Sequence, residues 1–89
     1  MNEILRIEIA EKFRNTTLGF LRKKRNLDIL HFSDAETEAY LKEILLSTPL
    51  EDIEVIGKNY YFKYFESNAI LTVNSHSFTI ITAKQIYKH

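Results

Sequence analysis

The spacing of apolar positions changes once along this chain, at Pro49. Before it, apolar residues recur at helical intervals; after it, they gather in short runs rich in aromatic and β-branched side chains, the mark of strands. In residues 3–14, Leu5, Ile9 and Phe13 fall on one helical face. The alternation of Leu5, Ile7 and Ile9 also fits a strand, and the Glu, Arg, Ala and Lys around them favour helix. Asn15, Thr16 and Thr17 are three candidate N-caps for a second short helix over residues 18–27, whose basic residues come late, where they complement the helix dipole. Gly19 weakens that helix by about 1 kcal/mol relative to alanine, unless it serves close packing against the first helix. The third helix carries the clearest local code. Ser33-Asp34-Ala35-Glu36 reads as a capping box, and Tyr40, Leu41, Ile44 and Leu45 form one core-facing stripe. Ser47-Thr48-Pro49 ends it, because the residue before proline is pushed out of the helical region.

Beyond Pro49, residues 53–56 and 60–65 read as strands flanking Gly57-Lys58-Asn59, a three-residue hairpin loop or else a bulge in one continuous strand. Glu66-Ser67-Asn68 is the next turn. Strands over residues 69–74 and 77–83 follow, then a tail read as a turn of helix. With Ser75-His76 as the loop, Val73 stands opposite Phe78 and Leu71 opposite Ile80; opposed residues share a face, so these four make an apolar patch for the helices. The other face then carries Ile70, Thr72, Thr79 and Ile81, with Ala83 beyond. A small antiparallel sheet usually has one face covered. The second face is therefore expected to meet a protein partner or a second copy of the chain, unless the tail and the first helix cover it. The expected fold class is α+β: two or three N-terminal helices (about residues 3–47) packed on a three- to four-stranded antiparallel sheet (about residues 53–84), in one domain over residues 1–89.

Composition narrows the function classes. A 45% apolar and 27% charged chain with zero net charge is an ordinary globular protein, and its surface as a whole is not built for nucleic acid or acidic membrane. The absence of cysteine removes disulfides, thiolate chemistry and Cys-based zinc sites. No apolar run is long enough to cross a bilayer, and the first residues lack a signal-peptide pattern, so cytoplasmic residence without membrane contact is expected. The neutral sum hides an uneven distribution. Lys12, Arg14, Arg22, Lys23, Lys24 and Arg25 form a basic segment, and Asp28 to Glu54 hold eight carboxylates against Lys42 alone. Basic and acidic helices packed side by side would neutralise each other; otherwise the basic cluster contacts a polyanion or an acidic partner.

The candidate chemistry lies mainly at the hairpin tip. Asn74, Ser75, His76 and Ser77 form a polar turn, and a histidine side chain can exchange a proton near neutral pH. A histidine with a lysine and a hydroxyl can cleave RNA without metal, the histidine as general base and the lysine stabilising the charged phosphorane. Lys58, Tyr60, Thr79 and Lys84 are the supporting candidates. In the plainer reading Asn74 and the serines satisfy the turn's backbone and His76 is a surface residue. Arg22, Lys23 and Arg25 are candidate phosphate contacts, although on a helix the basic cluster spreads over more than half the circumference. His31, His76 and His89 have no metal-ligand spacing, and the two glycines form no phosphate-cradling loop, so neither metal nor cofactor is expected.

Three stretches together carry a resemblance: Thr17-Leu18-Gly19-x-x-Arg22-x-x-x-Asn26-Leu27, Gly57-Lys58-Asn59-Tyr60-Tyr61, and Thr72-Val73-Asn74-Ser75-His76-Ser77-Phe78-Thr79-Ile80-Ile81-Thr82-Ala83. Over about residues 16–84 the chain resembles the bacterial family known as domain of unknown function 3781. The resemblance implies a small single-domain protein of Gram-positive bacteria and transfers no mechanism. Members often carry histidine where Lys84 stands, so a paired-histidine mechanism does not pass to this chain. In architecture alone, helices followed by an antiparallel sheet are similar to ribonuclease toxins of the barnase and colicin type. The leading expectation is a cytoplasmic interaction or regulatory module using the sheet face and the hairpin tip. A metal-independent ribonuclease centred on His76 is the alternative, and nucleic-acid binding through Arg22 to Arg25 is the third.

Overall fold

The computed structural model describes residues 1–15 and 17–87, the side chains of Thr17 and Leu18 excepted. The cap candidate Thr16 and His89 lie outside the described residues. Helix α1 spans Glu3–Lys12, and Asn2 caps it by accepting the Leu5 N–H at 2.8 Å. It ends before residue 14 because Arg14 leaves for the sheet: its N–H donates to the Phe78 carbonyl at 3.0 Å, and its own carbonyl accepts from Ile80 N–H at 2.9 Å. Helix α2 covers Thr17–Asn26. Its end is a Schellman motif with Asp28 in the left-handed region (φ 61°), where Ile29 N–H reaches Lys24 O at 2.8 Å and Asp28 N–H reaches Arg25 O at 3.2 Å.

Helix α3, Asp34–Ser47, opens on the expected capping box: Ser33 Oγ accepts the Glu36 N–H, and Glu36 Oε1 accepts the Ser33 N–H at 2.9 Å. The bonds from the Ser33 backbone and side chain hold the Glu36 carboxyl below the usual carboxylate range. At the other end the Thr48 N–H and hydroxyl both donate to the Ile44 carbonyl. Arg6 of α1, 8% exposed, joins this end. Its Nη1 donates to the carbonyls of Thr48 (2.5 Å) and Leu45 (3.5 Å), while Nε and Nη2 form a fork on the Glu3 carboxylate at 3.1 and 2.6 Å. A guanidinium therefore fills the carbonyl-rich end of α3, where a positive charge is favoured.

Three helices thus precede a four-stranded antiparallel sheet, with β1 Ile53–Ile56, β2 Asn59–Tyr64, β3 Ala69–Asn74 and β4 Ile80–Gln85 in spatial order 1-2-3-4. The first hairpin loop is shorter than its glycine and asparagine suggest. Ile56 pairs with Asn59, leaving Gly57 (φ 59°) and Lys58 as a two-residue connection. The last hairpin differs more. Its loop runs to Thr79, β4 starts at Ile80, and Val73 faces Ile80 while Thr72 faces Thr82, so Ile81 is an extra, bulged residue. One added residue reverses every face beyond it. Ala83, expected on the second face, pairs with Leu71 and is fully buried, whereas Phe78 leaves the ladder with φ 57° and is half-buried against the core. Past β4 the tail bends rather than forming helix, held by two bonds between Asn68 and Tyr87 at 2.8 and 2.9 Å.

The core lies between the helices and one sheet face, where Ile9, Leu41, Ile44 and Leu45 meet Phe62, Leu71, Val73 and Ile80, all 2% exposed or less. Asn15 runs against the general pattern, since both polar atoms of its amide are shielded with no partner among the described residues. Replacing Arg6 with alanine strips the buried carbonyls of Thr48 and Leu45 of their donor. Urea unfolding should then show a loss of about 2 kcal/mol.

Candidate functional site

The hairpin tip is organised by Asn74. Its Oδ1 accepts from the N–H groups of His76 (2.9 Å) and Ser77 (3.0 Å), and Ser77 Oγ lies 2.9 Å from Thr79 Oγ1. The backbone closes the turn through Phe78 N–H to Asn74 O and Asn74 N–H to Thr79 O, both 2.9 Å, and Ser75 N–H donates to the Lys58 carbonyl of the neighbouring loop at 2.8 Å. Asn74, Ser77 and Thr79 are therefore brought together as turn-forming groups. The His76 ring is exposed, with no hydrogen bond or ion pair among the described residues. Lys84 pairs with Ile70, about four strand residues (roughly 13 Å) beyond the start of β4. Tyr60 packs on the helix-facing side of the sheet. Lys58 is exposed and reaches the tip through its backbone.

The second sheet face carries Tyr61, Ile70, Thr72 and Thr82, with Lys63 paired to Glu54 at 3.0 Å, and contributes nothing to the core cluster. Ile70 is half-buried, Thr72 is buried among its neighbours, and Ile81 stands out at the bulge.

A third place gathers more chemistry than either. Between α2 and β4 runs a groove of about 490 Å³. Its helix wall is Gly19, Arg22, Lys23 and Asn26, one helical face at i, i+3, i+4 and i+7; its other wall is residues 79–83. Helix α2 therefore turns a polar face towards the sheet edge. Lys23 is 4% exposed while Leu21 is 57% exposed, the reverse of an ordinary amphipathic helix. Burial pushes the Lys23 ammonium below the usual lysine range. Among the described residues it makes no hydrogen bond and no ion pair, and no carboxylate lines the groove.

The basic cluster divides by position. Arg22 stands exposed at the groove, Lys23 lies inside it, Lys24 pairs with Asp34 of α3 at 2.7 Å, and Arg25 is exposed outside it. The Lys24 pair is the neutralisation of basic by acidic helix that the charge pattern suggests; Lys23 has no such neighbour. Gly19, Asn26 and Thr82 were not singled out as ligand contacts by sequence reasoning. Their signal was present in the helical spacing of Gly19, Arg22, Lys23 and Asn26, but only the placement of β4 gives that face a meaning. The first and third of the stretches that carry the family resemblance meet along this groove.

Among the described residues no three His, Asp or Glu gather as metal ligands, and no helix is long and apolar enough to cross a membrane. A family model described as a protein of unknown function, DUF3781, matches residues 7–84. No curated protein and no solved structure matches the chain. The tip geometry separates Asn74 from His76 in effect. Asn74→Ala should lower stability by about 1–2 kcal/mol in urea unfolding, and His76→Ala should change it by less than about 0.5 kcal/mol.

Proposed function

The chain belongs to the DUF3781 family of proteins of unknown function, and we propose that this member works in the bacterial cytoplasm as a small binding module whose ligand seat is the groove between α2 and β4. The ligand is anionic. One observation carries the reading: Lys23 lies buried in an open groove with no carboxylate among the described residues to balance it. An unpaired buried cation costs folding stability, and a protein has no structural reason to hold one where a methionine of similar length would pack. A ligand that brings the missing negative charge supplies the reason. The tip offers less to catalysis, since the His76 ring stands alone and Lys84 lies at the far end of β4.

The second sheet face supports a further reading, self-association or a protein partner, on the observation that none of its residues joins the core while Ile56 on that face is exposed. Under it the protein dimerises at micromolar concentration and Ile56→Glu, on that face and away from the groove, weakens the dimer. A monomer at every concentration in light scattering overturns that reading.

Lys23→Met tests the groove. The variant should be more stable than the parent by about 1 kcal/mol at neutral pH while losing affinity for anions, a trade expected of a functional residue and not of a structural one. The pH dependence follows from the lowered folded-state value. Below it Lys23 is charged in both folded and unfolded chains and its full cost is felt; as pH climbs from there towards the ordinary lysine range, the folded chain sheds the proton first and the cost fades. The stability gap between variant and parent should therefore narrow at alkaline pH. Arg22 is the other charged residue at the groove, and residues 79–83 opposite contain no titratable side chain. Labelled RNA incubated with the parent and with His76→Ala should stay intact in both; cleavage by the parent alone would restore a catalytic role for the tip.

A further inference from the structure

Resting on the reading of the groove as an anion seat, we infer that its ligand is the phosphomonoester of a small aliphatic or sugar-like alcohol, with the phosphate between Arg22 and Lys23. Charge is the first argument. Arg22 and Lys23 supply two positive charges to a groove with no acidic lining, and a phosphomonoester carries close to two negative charges at neutral pH, whereas a single carboxylate carries one. Donor number is the second. A guanidinium fork, an ammonium, the Asn26 amide and the Thr79 hydroxyl give more donors than two carboxylate oxygens can accept, and they suit the three terminal oxygens of a phosphate. Thr79 is already placed for this, because Ser77 Oγ lies 2.9 Å from its hydroxyl oxygen and can donate to it, which leaves the Thr79 proton for a ligand.

The groove also decides what the phosphate is attached to. Among the described residues no aromatic side chain lines it, so it offers no platform on which a base of single-stranded nucleic acid would stack. Its volume exceeds that of a phosphate alone and falls within the range of small-molecule sites. Ile81, 48% exposed, adds apolar surface to the strand wall, fit for a short carbon chain or a sugar ring. The neutral charge of the whole chain agrees with a small ligand rather than a polyanion.

Calorimetric titration of the full chain with glycerol 3-phosphate, inorganic phosphate, citrate and a twelve-nucleotide single strand tests this. Saturable binding of glycerol 3-phosphate is expected, stronger than that of inorganic phosphate. Lys23→Met and the exposed-site variant Arg22→Ala should each weaken it at least tenfold, with amide shift changes in NMR confined to residues 19–26 and 79–83. Citrate binding as tightly, with the same dependence on Lys23, would overturn the phosphomonoester assignment and leave the anion seat standing. Preference for the oligonucleotide, with affinity falling steeply with salt, would overturn the small-ligand assignment in favour of a backbone contact. Absence of binding by all four probes at millimolar concentration would overturn the phosphomonoester and the anion seat together.

Discussion

Two main-chain hydrogen bonds from Arg14, one to Phe78 and one to Ile80 at the start of β4, set the geometry on which the candidate site depends. They seal the start of an edge strand that would otherwise present unpaired backbone groups, and they fix the point from which α2 departs. The far end of α2 is fixed as well, by the Lys24–Asp34 pair and by Leu27 and Ile29 in the core. A helix held at both ends over the flank of a strand cannot rotate to exchange one face for another. Lys23 is buried because those anchors leave it no other direction, and Leu21 is exposed for the same reason.

What was legible in the sequence was local. The capping box at Ser33 and Glu36, the stripe of Leu41, Ile44 and Leu45, and the stop at Thr48-Pro49 are encoded within one helix, and each is found where its residues place it. The order of helices and strands follows from the same short-range periodicities. The last hairpin departs from the shortest closure its sequence allows, its loop running on to Thr79. Asn74 instead gathers two backbone N–H groups onto one side-chain oxygen, and Phe78 adopts a left-handed conformation that bulky residues avoid at a cost of about 1–2 kcal/mol. Residue preference does not announce such a conformation. It is imposed by the Phe78 carbonyl meeting Arg14, a contact 64 residues distant along the chain.

The bulge at Ile81 extends that effect to the sheet. It lets β4 return to register after the longer loop and turns Ala83 inward to meet Leu71. The apolar face reached by assuming a two-residue loop contained the right strands and three of the right residues, with Phe78 in the place that Ala83 holds. The candidate site was legible only in fragments for a related reason. Arg22, Lys23 and Thr79 were recognisable as polar residues with chemistry to offer, but in the sequence the first two belong to a helix and the third to a turn. The groove exists in the relation between these elements, which the Arg14 bridge creates.

Charge placement then separates structure from function within one basic run. Lys24 and Arg6 each meet an acidic partner or a helix's carbonyl end, so their burial is offset inside the fold. Lys23 lies one residue from Lys24 and is the more buried of the two, yet among the described residues it has no ion-pair partner. A chain with zero net charge and eight carboxylates between Asp28 and Glu54 has no shortage of acidic groups to place there. That the groove wall instead presents Arg22, Asn26 and Thr79, donors with no acidic counterpart among the described residues, means the negative charge must come from outside the chain if the site is to be balanced at all.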